Sequence, residues 1–259
     1  MIEDFSPMAL DELVDRAALL TRVDRKYVLP HSRVGTVLTG LRPHARVLEI
    51  DGERDFGYAS TYYDDTALTS FHLSAHGRRR RFKVRSRTYA ESGRSFVEVK
   101  TRGLRGTTVK NRLALGCRVS AWQSLPAEAS GFVEEVLTDF GVRAAGLRPV
   151  LHTAYRRSTL FLPASGARVT LDSGLSWSLG NDEELRLPGV VVLETKSGGG
   201  ASLADRQLWA QGVRPTRISK YGTGLSALDR TVAGNRWNPV LRRHFPTTTP
   251  SLSHERTSA

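Results

Sequence analysis

Cationic side chains recur at every second residue in the segment 78–89, RRRRFKVRSRTY. Since alternate side chains of a β-strand point to opposite faces, this segment predicts a strand with one cationic face. That face would carry Arg81, Lys83, Arg85, Arg87 and Tyr89. Neighbouring like charges repel each other, so we expect a polyanion to bind there. A solvated basic loop is the alternative interpretation, and the alternation with Phe82 and Val84 argues against it.

Two glutamates alternate with lysine in apolar, strand-like segments. Glu98 and Lys100 lie in SFVEVKTRG, and Glu194 and Lys196 lie in GVVVLETKSGG. A buried carboxylate is costly unless it is paired or bound to a metal, and hard divalent cations prefer carboxylate oxygen. Glu194 is therefore predicted to bind a metal, with a salt bridge to Lys196 or a nearby arginine as the alternative. For Glu98 the two interpretations are equally open.

The rest of the chain predicts the elements that hold these residues. Period-two alternation predicts strands near 21–30, 45–52, 56–65, 78–89, 95–103, 148–163, 167–180 and 189–199. Helical spacing of apolar residues predicts helices near 6–20, 31–42, 66–76, 126–140, 202–213 and 217–232. About eight strands with polar inner faces predict an α+β fold built on a closed antiparallel β-barrel or tunnel. Its lumen would be polar and basic, and helices would cover its apolar outer face.

Both ends of the chain carry local signals. Ser6-Pro7 predicts the start of the first helix, because Ser is a good N-cap and Pro fits the first turn. The helix stripe predicted to face the core consists of Leu10, Leu13, Val14, Ala17 and Leu20. The chain ends in a polar stretch rich in Pro, Thr and Ser, so residues 236–259 are expected to form a disordered tail. The folded domain is then expected to cover residues 1–235.

The charge balance favours an anionic partner. The 259 residues carry 38 Lys and Arg against 26 Asp and Glu, a formal net charge of +12, which suits nucleic acid, phosphate esters, polyphosphate or anionic membranes. The single cysteine, Cys117, excludes an internal disulfide framework and a Cys-rich zinc site. The acidic N-terminus is unlike a signal peptide, and no apolar run approaches a membrane span. A cytoplasmic protein without a membrane segment is therefore expected.

An ordered set of motifs resembles the VTC domain over about residues 10–230. The motifs are RVDRKY, RSRTY, VEVKT, VKNR, YRR, ARVTLD, VLETK and RISKYG. The VTC domain is the polyphosphate polymerase domain of the vacuolar transporter chaperone complex, within the triphosphate tunnel metalloenzymes (the CYTH-like superfamily). The resemblance implies an antiparallel β-tunnel whose Arg and Lys side chains hold a triphosphate or a growing polyphosphate. It also implies a divalent metal, Mn²⁺ or Mg²⁺.

The resemblance further implies roles for individual residues. Those expected to act on the substrate are Lys26, Arg85, Arg87, Arg157, Arg168 and Lys220. Those expected to bind phosphate are Lys83, Tyr89, Lys100, Lys110, Lys196, Arg217 and Tyr221. The metal is expected on Glu194 and Glu98. The chain departs from the Glu-x-Glu-x-Lys signature of the wider superfamily, since residues 22–26 read RVDRK, which leaves fewer acids for a metal.

The resemblance implies metal-dependent phosphoryl transfer on polyphosphate, with ATP-dependent polyphosphate synthesis as the first hypothesis. Hydrolysis of tripolyphosphate or a nucleoside triphosphate stays open, as does a non-catalytic polyphosphate-binding module. The expected partners are ATP, polyphosphate or tripolyphosphate, and a membrane-bound partner protein is compatible with the sequence. Nucleic acid is not expected, because the cations alternate with acids and apolar residues rather than with exposed aromatic residues.

Overall fold

Eleven strands form one sheet in the computed structural model, which describes residues 2–16, 23–102, 108–180 and 184–245. The strands are β1 Ser6–Met8, β2 Val23–Pro30, β3 Arg46–Leu48, β4 Phe56–Asp64, β5 Arg81–Tyr89, β6 Ser95–Arg102, β7 Thr108–Leu115, β8 Arg148–Leu162, β9 Ala167–Ser178, β10 Glu184–Leu187 and β11 Val190–Ser197. The main path runs β2-β11-β9-β8-β4-β5-β6-β7. Every neighbouring pair on it is antiparallel, which confirms the predicted antiparallel sheet of about eight strands.

The helices are α1 Leu10–Arg16, α2 His31–Leu41, α3 Thr69–Ala75, α4 Ala127–Leu137, α5 Leu203–Ala210, α6 Lys220–Leu228 and α7 Asn238–His244. As predicted, helices cover the apolar outer face of the sheet, and they are α2, α4 and α5. Tyr27 on β2 and Leu193 on β11 pack in one core with Leu208 of α5, and α2 adds to this core. Phe82 on β5 packs in a separate core with Val133 of α4. No helix in the described ranges is long and apolar enough to cross a membrane.

The expectation of a closed barrel is wrong in one respect. In the part of the chain that the structure describes, β2 and β7 lie at the two ends of the main path and do not pair with each other. The segment before α6 lies between β2 and β5 instead. Lys83 Nζ on β5 donates to Ser219 Oγ at 2.9 Å, and Lys26 Nζ on β2 lies 3.4 Å from the Ile218 carbonyl oxygen. The open sheet thus encloses a lumen with the help of this segment.

A further apolar core lies on the inner face of the sheet, around α6. Val28 on β2 and Val192 on β11 pack there in one cluster with Tyr221 of α6. The approach of α6 to β9 is close, because a Cβ atom at Gly224 would lie 2.1 Å from the Trp177 ring. The interior of the sheet therefore has two parts. Helix α6 fills the apolar part, and the polar part begins at Lys220, the first residue of that helix.

A β-bulge in β9 directs Trp177 into this inner core. Opposite the step from Ala154 to Arg156 on β8, β9 contains one extra residue. Gly174 at the bulge has φ +56°, a left-handed conformation that glycine adopts without steric cost. Strict alternation from Asp172 would place Trp177 on the opposite face, whereas the extra residue brings both to the inner face.

Two predictions for the N-terminus are wrong. Ser6-Pro7 belongs to β1, which pairs in parallel with β3, and the helix begins later, at Leu10. Leu10 and Val14 are 48% and 60% exposed, so only Leu13 of the described stripe is buried, in a small cluster with Met8 and neighbouring residues. The other stripe positions, Ala17 and Leu20, lie outside the described residues.

The packed region also extends beyond the predicted boundary at residue 235. Trp237 and Val240 are buried in the inner core, and a Cβ atom at Gly222 of α6 would lie 2.0 Å from the Trp237 ring. The prediction of a disordered tail is therefore wrong for residues 236–245, because they bury apolar side chains against α6. Residues 246–259 lie outside the described residues.

Candidate functional site

The first charged group of the lumen joins β5, β6 and β7. Arg85 donates from Nε and Nη2 to one Glu98 oxygen, at 2.8 and 2.5 Å, and Lys110 Nζ lies 2.5 Å from the other oxygen. Arg85 Nη1 also donates to the Tyr62 hydroxyl at 3.2 Å. Burial acts to raise the pKa of Glu98, but the surrounding cations outweigh it and hold that pKa well below its usual range. Since both oxygens carry ion pairs, Glu98 acts as a counter-ion, and we leave it out of the proposed metal site.

The second charged group joins β8, β9 and α6. Arg157 donates from Nε and Nη2 to the two Asp172 oxygens, at 2.5 and 2.8 Å, and Lys220 is ion-paired with the same carboxylate. Asp172 is 1% exposed. Burial acts to raise its pKa, but Lys220 and Arg157 hold the pKa well below its usual range. Asp172 was not among the predicted site residues, although its shared face with Arg168 could have indicated it.

Tyrosine rings orient the cations between these groups. Tyr58 and Tyr155 stack with their ring centroids 5.3 Å apart, and the Arg157 guanidinium lies 5.3 Å from both centroids. Lys220 Nζ lies 4.1 Å from the Tyr155 centroid, and Arg87 Nη2 donates to the Tyr155 hydroxyl at 2.9 Å. Cations are attracted to ring faces. Tyr155 therefore helps to hold three predicted cations, although neither tyrosine was predicted for the site.

Three lysines, which we name the lysine cluster, lie close together on β2, β5 and β6. They are Lys26, Lys83 and Lys100. Burial lowers the pKa of Lys83, and Lys26 and Lys100 lower it further. Burial also lowers the pKa of Lys100 and Lys26 adds to this effect, while Asp24 and Glu194 oppose it. In the described ranges, no carboxylate lies at ion-pair distance from any of the three, so we expect a bound anion to relieve their repulsion.

Glu194 enters the lumen from β11, in register with Lys26. Lys196 Nζ lies 3.7 Å from Glu194 Oε1. Burial acts to raise the pKa of Glu194, but Lys196 and Lys26 are the leading causes that lower it to about 2. No hydrogen bond from another described residue reaches this carboxylate. Glu194 is thus ionised, and its oxygens are available to a cation.

A divalent metal fits this carboxylate only as part of a substrate complex. Across the described ranges, no three His, Cys, Asp or Glu side chains form a metal-binding group. Mg²⁺ in phosphoryl-transfer enzymes is often held by one or two carboxylates together with substrate phosphates and water. Glu194 satisfies that requirement, because its ion pair with Lys196 is long, at 3.7 Å.

Lys196 and Arg168 lie next to Glu194 on the same side of the lumen. Lys196 is in register with Arg168 on β9 and with Asp24 on β2. Burial lowers the pKa of Lys196, the nearby Glu194 opposes this, and Arg168 and Arg157 strengthen it, so the pKa is about 8. An anion bound beside Lys196 would favour its charged form.

Behind the lumen wall, Asp205 fixes the strands that carry Lys26 and Glu194. Tyr27 and Thr195, the next residues on the two strands, each donate from the hydroxyl to Asp205 Oδ1 at 2.6 Å. The same carboxylate completes the capping box that begins α5. One buried acid therefore sets the relative position of β2, β11 and α5.

Within the described ranges, three of the predicted phosphate ligands make no side-chain hydrogen bond or ion pair with these groups. Tyr221 is 1% exposed, and its hydroxyl donates to the buried Asp64 at 2.5 Å, so it belongs to the inner core and not to the proposed phosphate site. Tyr89 packs against Tyr58, with ring centroids 5.0 Å apart, and edge-on against Phe96, with centroids 5.7 Å apart. Arg217 is exposed, in the segment before α6.

Comparison with known proteins agrees with this fold. A candidate adenylyl cyclase from Hippeastrum, described as having a dominant triphosphatase activity, has a similar structure, with a TM-score of 0.53 and 14% identity over 80% of this chain and 96% of that one. A candidate adenylate cyclase from Bacillus halodurans is similar with a TM-score of 0.51 and 12% identity over 77% of this chain and 94% of that one. No curated protein matches the chain in sequence. The sequence model of the VTC domain matches residues 21–229, and the chain therefore belongs to the VTC domain family.

Proposed function

We propose that this chain catalyses metal-dependent phosphoryl transfer on polyphosphate, with ATP as the phosphoryl donor for chain growth. The observation that carries the proposal is the convergence of cations from several strands and α6 on one lumen. These cations are Lys26, Lys83, Arg85, Arg87, Lys100, Arg157, Lys196 and Lys220. Phosphoryl transfer asks little covalent chemistry of a protein and depends on positioning and on stabilising negative charge.

The arginines and the lysines would divide this work. Arg85 and Arg157 are held by Glu98 and Asp172, so their guanidinium planes are oriented before a substrate arrives. A guanidinium offers a planar fork for two phosphate oxygens, whereas lysine is a mobile point charge. The arginines would thus align the phosphates, and the lysine cluster would neutralise their charge.

The metal would be held by Glu194 together with phosphate oxygens of the substrate. When bound, a divalent cation neutralises charge on the phosphoryl group and polarises its bonds. Glu194 contributes an ionised carboxylate because the neighbouring cations lower its pKa to about 2. Glu194 is therefore ionised near neutral pH and able to bind a cation there.

The carboxylates of the lumen favour transfer to phosphate over transfer to water. Glu98, Asp172 and Glu194 all have lowered pKa values, which makes each a weak general base for activating water. A phosphate acceptor is already anionic and needs no such base. Hydrolysis of a triphosphate is the second candidate function, favoured by the likeness to the Hippeastrum protein described as a triphosphatase.

Incubation with ATP and Mn²⁺ tests the proposal. Products are resolved on a gel stained for polyphosphate, and free phosphate is measured in parallel. We expect polymer from the wild type and from Arg33→Ala, a control on the exposed side of α2. Glu194→Gln should lower the rate by about 100-fold, or about 2.7 kcal/mol of barrier.

The outcomes separate the candidates. If free phosphate forms without polymer, hydrolysis replaces synthesis as the proposed function. Tight tripolyphosphate binding without turnover would identify a binding module. A rate for Glu194→Gln within about threefold of wild type, less than about 0.7 kcal/mol, would exclude Glu194 as the metal ligand.

A further inference from the structure

Four arginines, which we name the rim arginines, gather just beyond the lysine cluster. They are Arg81, Arg102, Arg217 and Arg236. Arg81 and Arg102 pair in register on β5 and β6. Each lies two residues beyond a lysine of the cluster, Lys83 or Lys100, and therefore on the same strand face. The cationic faces of both strands thus continue from the lumen to its edge.

Arg217 and Arg236 extend this group from outside the sheet. Arg217 directly precedes Ile218, whose carbonyl oxygen lies 3.4 Å from Lys26 Nζ in the lysine cluster. Arg236 reaches α3, where its Nη1 lies 3.4 Å from the Ser74 carbonyl oxygen. Both arginines line one open cavity of about 360 Å³. The rim is therefore continuous with the lumen and open to solvent.

The rim arginines act on one another electrostatically. Burial lowers the pKa of Arg81, and Arg102 and Arg236 lower it further. Burial lowers the pKa of Arg236, and Arg217 and Arg102 lower it further. Of the acidic residues within the described ranges, none is ion-paired with Arg81, Arg217 or Arg236. Such crowding of guanidinium groups disfavours the empty protein, and an anion would relieve it.

Two arginines on other strands have acidic partners. Arg46 on β3 pairs with Glu12, and Arg156 on β8 pairs with Asp55, each at 2.5 Å. Arg81, also on a strand, has the carbonyl of Arg78 as its hydrogen-bond acceptor. The positive charge of Arg81 therefore has no acidic partner among the described residues and is available to an external anion.

We propose that the rim arginines bind the part of a polyphosphate chain that extends beyond the lumen. This inference rests on the proposed function, because the chain reaches the rim from the lysine cluster. Two residues of a strand span about 7 Å, so one extended polyanion can contact the cluster and the rim together. A tripolyphosphate held among the lumen cations leaves the rim empty, and the two ligands should therefore respond differently to loss of the rim.

The test compares tripolyphosphate with polyphosphate of several tens of units, by calorimetry at one salt concentration. The rim variant is Arg217→Ala/Arg236→Ala, since neither residue lies on a lumen strand. The matched control is Arg33→Ala/Arg206→Ala, which removes two exposed arginines from α2 and α5. We expect the rim variant to lose about tenfold or more in affinity for the long chain, or about 1.4 kcal/mol. Its affinity for tripolyphosphate should change by less than about twofold, and the control should match the wild type.

Three outcomes would overturn the inference. Unchanged affinity for the long chain shows that the rim does not bind it, and equal losses for both ligands show an effect on the lumen. Single-stranded RNA of matched charge is measured in parallel. If the rim variant loses as much affinity for this RNA as for polyphosphate, the rim is a general nucleic-acid surface. If the wild type does not bind tripolyphosphate, the proposed function itself fails. The variant Arg217→Lys/Arg236→Lys keeps the charge, and its binding of the long chain distinguishes loss of charge from a folding defect.

Discussion

Arg85 and Arg157 each donate two hydrogen bonds to a buried carboxylate, whereas the lysine cluster has no such partner among the described residues. The two regions lie in one lumen and carry the same sign of charge. They differ in the group that compensates the energetic cost of burying that charge. In the arginine groups, short ion pairs to protein carboxylates compensate it at all times. In the lysine cluster, Asp24 and Glu194 act on Lys100 from beyond ion-pair distance, so a bound anion would compensate the charge more fully.

This difference predicts opposite responses to mutation. Removing one member of a buried ion pair leaves its partner uncompensated, which is strongly destabilising. Removing one of several unpaired cations reduces repulsion, and the empty protein should become more stable. Affinity for an anionic ligand should depend more on the lysine cluster than on the arginine groups, because the lysine cluster gains most from a bound anion.

The largest effect is expected for Asp172→Asn. This change leaves Arg157 and Lys220 buried without a counter-ion, so the free energy of unfolding should fall by about 3 kcal/mol. Urea denaturation of the empty protein measures it. Saturating tripolyphosphate should restore part of the loss, because the anion takes over the role of the carboxylate.

The control for this change is Asp55→Asn, which removes the acid of a partly exposed pair with Arg156. Exposed pairs contribute about 0–1 kcal/mol, so the loss should be small. Equal losses for the two variants would show that burial does not distinguish the Asp172 pairs, and the comparison between the regions would fail.

A change of opposite sign is expected for Lys83→Met. The empty protein should gain free energy of unfolding, because burial and the neighbouring lysines already disfavour the charge at this position. Affinity for tripolyphosphate should fall by roughly 1.5–3 kcal/mol, the range for hydrogen bonds to charged groups. Thermal denaturation and calorimetry measure the two quantities.

Lys220→Met provides the sharpest contrast, since Lys220 is paired with Asp172. It should lose stability while Lys83→Met gains it. If both variants are destabilised alike, the lysine cluster is compensated in the empty protein, and its proposed role as the main anion-attracting region is wrong.

The smallest effect concerns protonation of Lys196. The pKa of Lys196 in the folded protein is about 8, below the ordinary 10.5. Between these two pH values the unfolded state binds more protons than the folded state. The free energy of unfolding of the empty protein should therefore rise with pH in this range. Affinity for tripolyphosphate should fall over the same window, because binding requires Lys196 to regain a proton. The charged groups around it are Glu194, Arg168, Arg157 and Asp24.

Proton uptake on binding is measured by calorimetry in buffers of different ionisation enthalpy. At pH 8 the wild type should take up about half a proton more than Lys196→Arg, which stays charged. Lys83 and Lys100 also have lowered pKa values, but they contribute equally to both proteins. Identical uptake in the two would place the titration elsewhere in the lumen.

Local alternation was enough to predict eight of the strands, but not β1, β7 or β10. The cationic face of β5 and the glutamate-lysine faces of β6 and β11 lie as predicted, because a strand has a side-chain period of two regardless of its partners. Alternation does not assign faces where the period is interrupted. The extra residue beside Gly174 moves Trp177 to the inner face, and alternation alone does not reveal a bulge.

The pairing of charges was decided by tertiary structure. Asp172 meets Arg157 across a strand pair and Lys220 from a helix that lies 48 residues further along the chain, and no local pattern encodes that distance. The exposure of Val14 and the burial of Trp237 have the same origin, since each depends on which surface the rest of the chain brings near. The sequence alone therefore determined which residues could bind phosphate, and the fold decided which of their charges are already compensated and which still require a ligand.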